Sequence, residues 1–131
     1  MMRLALALLL AAPAPAQAAG LSVKMGETWI FALAKGQPAK ARKAAPTAEP
    51  RRGEIKVTVK SMLGTTMTIT SNNPGAFTYK ATLIGADGKA LPSRSCALPP
   101  NKALSFESWP QAAREVRLSD FKPAPKGGSC P

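Results

Sequence analysis

Arg52-Gly-Glu-Ile-Lys-Val-Thr-Val-Lys60, Ser61-Met-Leu-Gly64, Thr65-Thr-Met-Thr-Ile-Thr70, Ser71-Asn-Asn-Pro-Gly75 and Phe77-Thr-Tyr-Lys-Ala-Thr-Leu-Ile84, closed by Gly85-Ala-Asp-Gly88 and running on to Leu91, form the stretch that decides the fold. Ile55, Val57 and Val59 share one parity and Lys56, Thr58 and Lys60 the other, the period of a half-buried antiparallel strand. Met62-Leu63-Gly64 breaks the pattern, after which Met67 and Ile69 alternate with Thr66, Thr68 and Thr70. Asn72-Asn73-Pro74-Gly75 supplies the left-handed and Pro-fixed positions of a turn. Phe77, Tyr79, Ala81 and Leu83 then form the next apolar stripe, opposite Thr78, Lys80 and Thr82. Asp87-Gly88 is a hairpin signal leading into Ala90-Leu91.

On the N-terminal side, Leu21 to Met25 alternates up to Gly26 and reads as a short edge strand. Thr28 to Ala34 has period two with both faces apolar, which suits a strand covered on both sides. From Lys35 to Arg52 the chain turns to Gly, Pro, Ala, Lys and Arg, with Pro38, Pro46 and Pro50 spaced through it. Without a large apolar residue to bury, this segment is expected to be a long extended basic loop. Its charge clusters, Lys40, Arg42 and Lys43 with Arg51 and Arg52, make it either a solvated linker or an arm that docks on an anionic surface.

On the C-terminal side, Ser95 to Leu98 is short enough for an edge or sheet-switching strand. Leu104 and Phe106 alternate with Ser105 and Glu107 in a further strand that Trp109-Pro110 stops. Gln111 to Glu115 suits one helical turn, Val116 and Leu118 mark a last strand, and Phe121 closes the end of the core. Trp109 reads either as a cap on the core beside Phe106 or Phe121 or as an exposed platform for a glycan or peptide. Residues 122–131 read as a Pro- and Gly-rich tail.

Seven or eight short strands between turn signals, with no long helical pattern, predict an all-β fold: an antiparallel two-sheet sandwich in a single domain over residues 19–131. The Thr68-Ile-Thr-Ser-Asn-Asn73 segment followed by the aromatic strand with Tyr79 resembles the middle hairpin of bacterial immunoglobulin-like or fibronectin-like envelope domains. The likeness spans Glu54 to Phe121 and departs from true immunoglobulin domains in lacking the Cys-Trp-Cys core. Such scaffolds host many functions, so the resemblance assigns none.

Residues 1–18 carry the three parts of a secretory signal: Arg3, the apolar run Leu4 to Ala12, and small residues at Ala16-Gln17-Ala18. The run is shorter than the roughly 20 residues a spanning helix needs. A cleaved signal helix and a periplasmic or secreted mature protein are therefore expected. Cys96 and Cys130, an even pair in an oxidising compartment, are expected to form a disulfide that pins the tail. In the entropic picture a loop of that size is worth roughly 3–4 kcal/mol. The net charge of +11 favours salt-sensitive contact with polyanions, and export makes an anionic envelope glycan or lipid surface, or an envelope protein, a better partner than nucleic acid.

With no histidine, Ser-His-Asp and Cys-His catalysis and every histidine-based metal site are excluded. Neither Glu49 and Glu54 at the basic segment nor Asp87 and Glu107 form a recognisable carboxylate pair. Gly85, Gly88 and Gly127-Gly128 lack the following helix of a phosphate loop. No cofactor and no metal site is expected. The remaining chemical option is soft-metal binding: Met62 and Met67 with the two cysteines as thiols would suit Cu(I), although methionines on strands are ordinarily core filler. The sequence thus points to a non-enzymatic binding or accessory module, with a small copper carrier as the alternative.

Overall fold

In the computed structural model, which describes residues 20–124, Ile55, Val57 and Val59 are fully buried and lie beside the equally buried Met67 and Ile69. The signal expected over residues 1–18, the end of the tail and Cys130 lie outside the described residues. Among those described, the chain forms nine strands and no helix: β1 (Leu21–Lys24), β2 (Thr28–Ala34), β3 (Gln37–Lys43), β4 (Ile55–Ser61), β5 (Thr65–Ser71), β6 (Phe77–Ile84), β7 (Arg94–Leu98), β8 (Leu104–Trp109) and β9 (Glu115–Pro123). Two antiparallel sheets, β1-β9-β6-β7 and β3-β2-β4-β5-β8, share one core. The expected two-sheet, all-β architecture is present.

Period two in the sequence becomes the core because most strands turn their apolar parity to the facing sheet. Val23, Tyr79, Ala81, Leu83, Leu98, Val116, Leu118 and Phe121 come from one sheet and Phe31, Val57, Met67, Ile69 and Trp109 from the other. Burying each large side chain contributes about 1.5–3 kcal/mol relative to leaving it in water. Phe121 stacks on Tyr79 at 5.3 Å and meets Phe31 edge-on at 5.7 Å, so one aromatic cluster joins the two layers.

The ninth strand lies where an open loop was expected. Residues 37–43 form β3, and the two residues before it, Lys35 (φ 53°) and Gly36 (φ 78°), have the paired positive φ values of a tight hairpin turn. Pro38 is tolerated because β3 is an edge, and Lys40 (φ 53°) lies in the irregular part of the ladder to β2. A Cβ on Gly36 would come within 2.7 Å of the Phe121 carbonyl, whose amide in turn donates to the Gly36 carbonyl at 2.7 Å. Composition concealed this strand because the ladder to β2, not side-chain burial, holds it. The expected tail also begins later: β9 continues to Pro123, with Thr78 opposite Lys122. No helical turn forms at residues 111–115, where Glu115 already opens β9.

β3 and β4 flank β2, so the connection between them must cross β2, and it does so on the outer face. Ala44 donates to the Thr28 carbonyl, Lys56 Nζ to the Pro46 carbonyl, and Asn72 Nδ2 to the Pro50 carbonyl at 3.0 Å. Ile30 and Thr28, on the outward parity, are consequently buried, and Thr28 and Thr58 share a hydroxyl hydrogen bond of 2.8 Å. The crossing covers the β2 end of the sheet and leaves the β4-β5-β8 end open.

Candidate functional site

The open part of the outer face is built from three stripes whose parity is fixed by the core on the other side. β4 contributes Lys56, Thr58 and Lys60, β5 contributes Thr66, Thr68 and Thr70, and β8 contributes Leu104 and Phe106. Met62 from the β4–β5 turn and Pro46 from the crossing segment close the ends of a shallow groove of about 290 Å³. Among the described residues, no carboxylate lines it. Leu104 and Phe106 are 57% and 63% exposed, and Met62 is 61% exposed. Apolar groups clustered on an exposed face in this way mark contact surfaces more often than they mark nothing.

The alternation Leu104-Ser-Phe106-Glu was legible in the sequence, but its direction was not. Register with β5 puts Ser105 opposite Ile69 and Glu107 opposite Met67, hence toward the core, and Leu104 and Phe106 toward solvent. Trp109 sets this parity. It is 6% exposed and belongs to the core, on the opposite side of β8 from Phe106. Of its two readings, the core cap is therefore the one observed, without Phe106 as neighbour. Arg94 of β7 covers it at 4.6 Å from the ring centroid, donates to Glu107 Oε1 at 2.9 Å, and donates to the Ser108 carbonyl at 3.1 Å. One guanidinium thus supplies the polar partner that lets Glu107 point inward.

The five basic residues singled out in the sequence are placed along β3 and the crossing segment, and two are already matched by acids. Arg42 forms a two-pronged pair with Glu54 at 2.7 and 3.1 Å, reaching over β2. Arg42 and the Arg51 backbone amide hold the Glu54 carboxyl at a pKa of about 2. Lys43 pairs with Glu27 at 3.0 Å and lies 6.0 Å from the Trp29 ring centroid. Glu27, held first by the Trp29 indole N–H at 2.9 Å and then by the Lys24 amide, also has its pKa lowered to about 2. Lys40 is exposed on the edge, and Arg52 lies apart, in a concavity of about 310 Å³ with Asn72, Asn73, Pro74 and Asn101. These five do not converge on one site, and part of their charge is cancelled locally.

Two further acids, Asp120 and Glu115, are also structural. Asp120 (φ 56°), at an irregularity where β9 meets β6, accepts from Gln37 Nε2 at 2.8 Å and pairs with Lys80 at 3.4 Å. Its carboxyl is held below its ordinary value by Gln37 first and Lys80 second. Glu115 pairs with Arg114 and Arg117. Of the thioethers proposed as soft ligands, Met67 is fully buried in the core and Met62 faces the outer groove, on opposite sides of the sheet. Cys96 is described by its backbone alone, in β7 opposite Tyr79.

Lys56, Lys60, Leu104 and Phe106 are the site residues that the sequence reading did not assemble. The signal was there in the lysine and threonine stripes of β4 and β5, which label one face as outward. It needed the parity of Trp109 to add β8 to that face. Among the described residues, no helix is long and apolar enough to cross a membrane. Comparison with family models, with curated proteins and with solved structures returns no match.

Proposed function

We infer that the chain is an exported, non-enzymatic docking module that engages an anionic protein partner of the cell envelope through the open outer face of the five-stranded sheet. The observation that carries this reading is the exposure of Leu104, Phe106 and Met62 next to Lys56 and Lys60, in a groove that no carboxylate lines among the described residues. Apolar contact would supply affinity and the lysines steering and sign selection. Export rests on the signal pattern of residues 1–18, and a Cys96–Cys130 disulfide tethering the tail belongs to the same proposal. So does an immunoglobulin-like or fibronectin-like character for the sandwich. The absence of histidine and the occupation of Glu27, Glu54, Glu107, Glu115 and Asp120 in ion pairs support a role in contact over one in catalysis.

The groove is a better docking surface than the basic β3 segment, because Arg42 and Lys43 are already engaged by carboxylates. A disordered acidic copolymer of Glu and Tyr provides the test, by NMR titration of the mature protein. Salt-dependent shift changes are expected at Lys56, Lys60, residues 66–70, Leu104 and Phe106. Changes confined to Lys40, Arg42, Lys43, Arg51 and Arg52 would return the docking role to the basic segment. No binding at low salt would remove it altogether.

A further inference from the structure

The described part of the sandwich has four edge strands, β1 and β7 on one sheet and β3 and β8 on the other. Exposed edges invite pairing with other chains, and proteins blunt them with brevity, proline, bulges or charge. β1 has four residues and ends on Lys24. β3 carries Pro38, the left-handed Lys40, Arg42 and Lys43. β7 has five residues and directs Arg94 across the gap to β8. β8 differs: six residues in unbroken register with β5, with no proline and no irregularity, its one charge, Glu107 near the C-terminal end, being neutralised by Arg94. Arg94 reaches its C-terminal end at the Ser108 carbonyl, leaving residues 104–106, the segment bearing the two exposed apolar side chains, as its accessible part.

Resting on the docking reading above, we propose that the partner is an extended acidic segment of another protein that adds to the β8 edge as a further strand of the five-stranded sheet. Its backbone pairs along residues 104–106. Its outward side chains continue the apolar surface of Leu104 and Phe106, and its carboxylates, about 14 Å or three strand spacings from β4, are drawn by the field of Lys60 and Lys56 without direct pairing. Main-chain bonds give such complexes affinity and alternate side chains give selectivity. The sign of the charge argues against a second copy as occupant: the chain carries +11, and two β8 edges brought together would place like-charged faces side by side.

The test uses the mature protein and an eight-residue peptide in which Glu and Val alternate along one face of the strand, with Thr at every second position between them, and two N-methylated forms. Each form is methylated on alternate residues, so that one edge of the peptide strand is blocked in each. The expected results are binding by the parent peptide, slowed amide exchange in β8, and a loss of about tenfold or more for the N-methylated form whose blocked edge faces β8. Phe106→Ser should weaken binding about fivefold or more, and a Lys-Val peptide should not bind. Equal binding by parent and both methylated forms would overturn strand addition while leaving face docking intact. Binding of the Glu-Tyr copolymer with no binding of the alternating peptide would do the same, as would β8-mediated dimerisation of the protein alone. Failure of both probes to bind would remove the docking reading with it.

Discussion

Replacing Phe106 with Ser should leave the fold nearly as stable as before, whereas replacing Trp109 with Ala three residues later should come close to unfolding it. Phe106 is 63% exposed, so about a third of its surface is sheltered by the protein. Full burial of a phenylalanine is worth about 1.5–3 kcal/mol, which puts the sheltered part below about 1 kcal/mol. Exchange for Ser leaves no cavity, because the side chain lies on the outer face beside Thr68, its partner in the β5 ladder. Trp109 is 6% exposed, stands in the core cluster and carries Arg94 on its ring. Its truncation removes the ring, leaves a void and strips one contact from the Arg94–Glu107 pair, a loss of about 3–5 kcal/mol. Urea unfolding followed by far-UV circular dichroism measures both variants against the parent. A loss of more than about 2 kcal/mol for Phe106→Ser, or less than about 1 kcal/mol for Trp109→Ala, would mean that β8 turns its other face to the core. The exposed groove would then not exist. A gain in solubility for Phe106→Ser is the expected companion result, since it removes an aromatic group from an open edge.

Two further outcomes follow from geometry away from the groove. Gly64 (φ 111°) would place a Cβ 2.2 Å from the Trp109 carbonyl, so Gly64→Ala should lower stability by about 2 kcal/mol or more, a larger effect than Gly53→Ala, where the added Cβ meets nothing. Equal effects at the two glycines in chemical denaturation would show that φ alone, and not the close approach to β8, constrains the β4–β5 turn. Glu27 and Glu54 have folded pKa values of about 2 against 4.5 unfolded, so their stabilising contribution is complete above about pH 4.5 and is lost as the pH falls through about 2. After solvent screening is allowed for, each is worth on the order of 1 kcal/mol. A Glu54→Gln variant should therefore show a shallower fall in unfolding midpoint between pH 5 and pH 2, and a slope identical to the parent would refute the role of the Arg42 pair.

The sequence alone determined the class of the fold and most of its strands. The alternation from Ile55 to Leu83 places side chains on opposite faces whatever surrounds them, and the turn residues between the runs mark the reversals. β3 escaped because an edge strand can be held by its backbone ladder, and backbone hydrogen bonds leave little trace in composition. The β8 groove escaped for a different reason. Period two states which residues share a face but not which face is buried, and in Leu104-Ser-Phe-Glu-Ser-Trp109 the apolar side chains fall on both parities. Only the packed sandwich settles the choice: Trp109 fills core volume and Arg94 is at hand to neutralise Glu107, so Leu104 and Phe106 are turned outward beside Lys56 and Lys60. Pairing of charges is likewise a tertiary property. Arg42 and Glu54 are twelve positions apart, and their contact exists because the chain between them crosses β2.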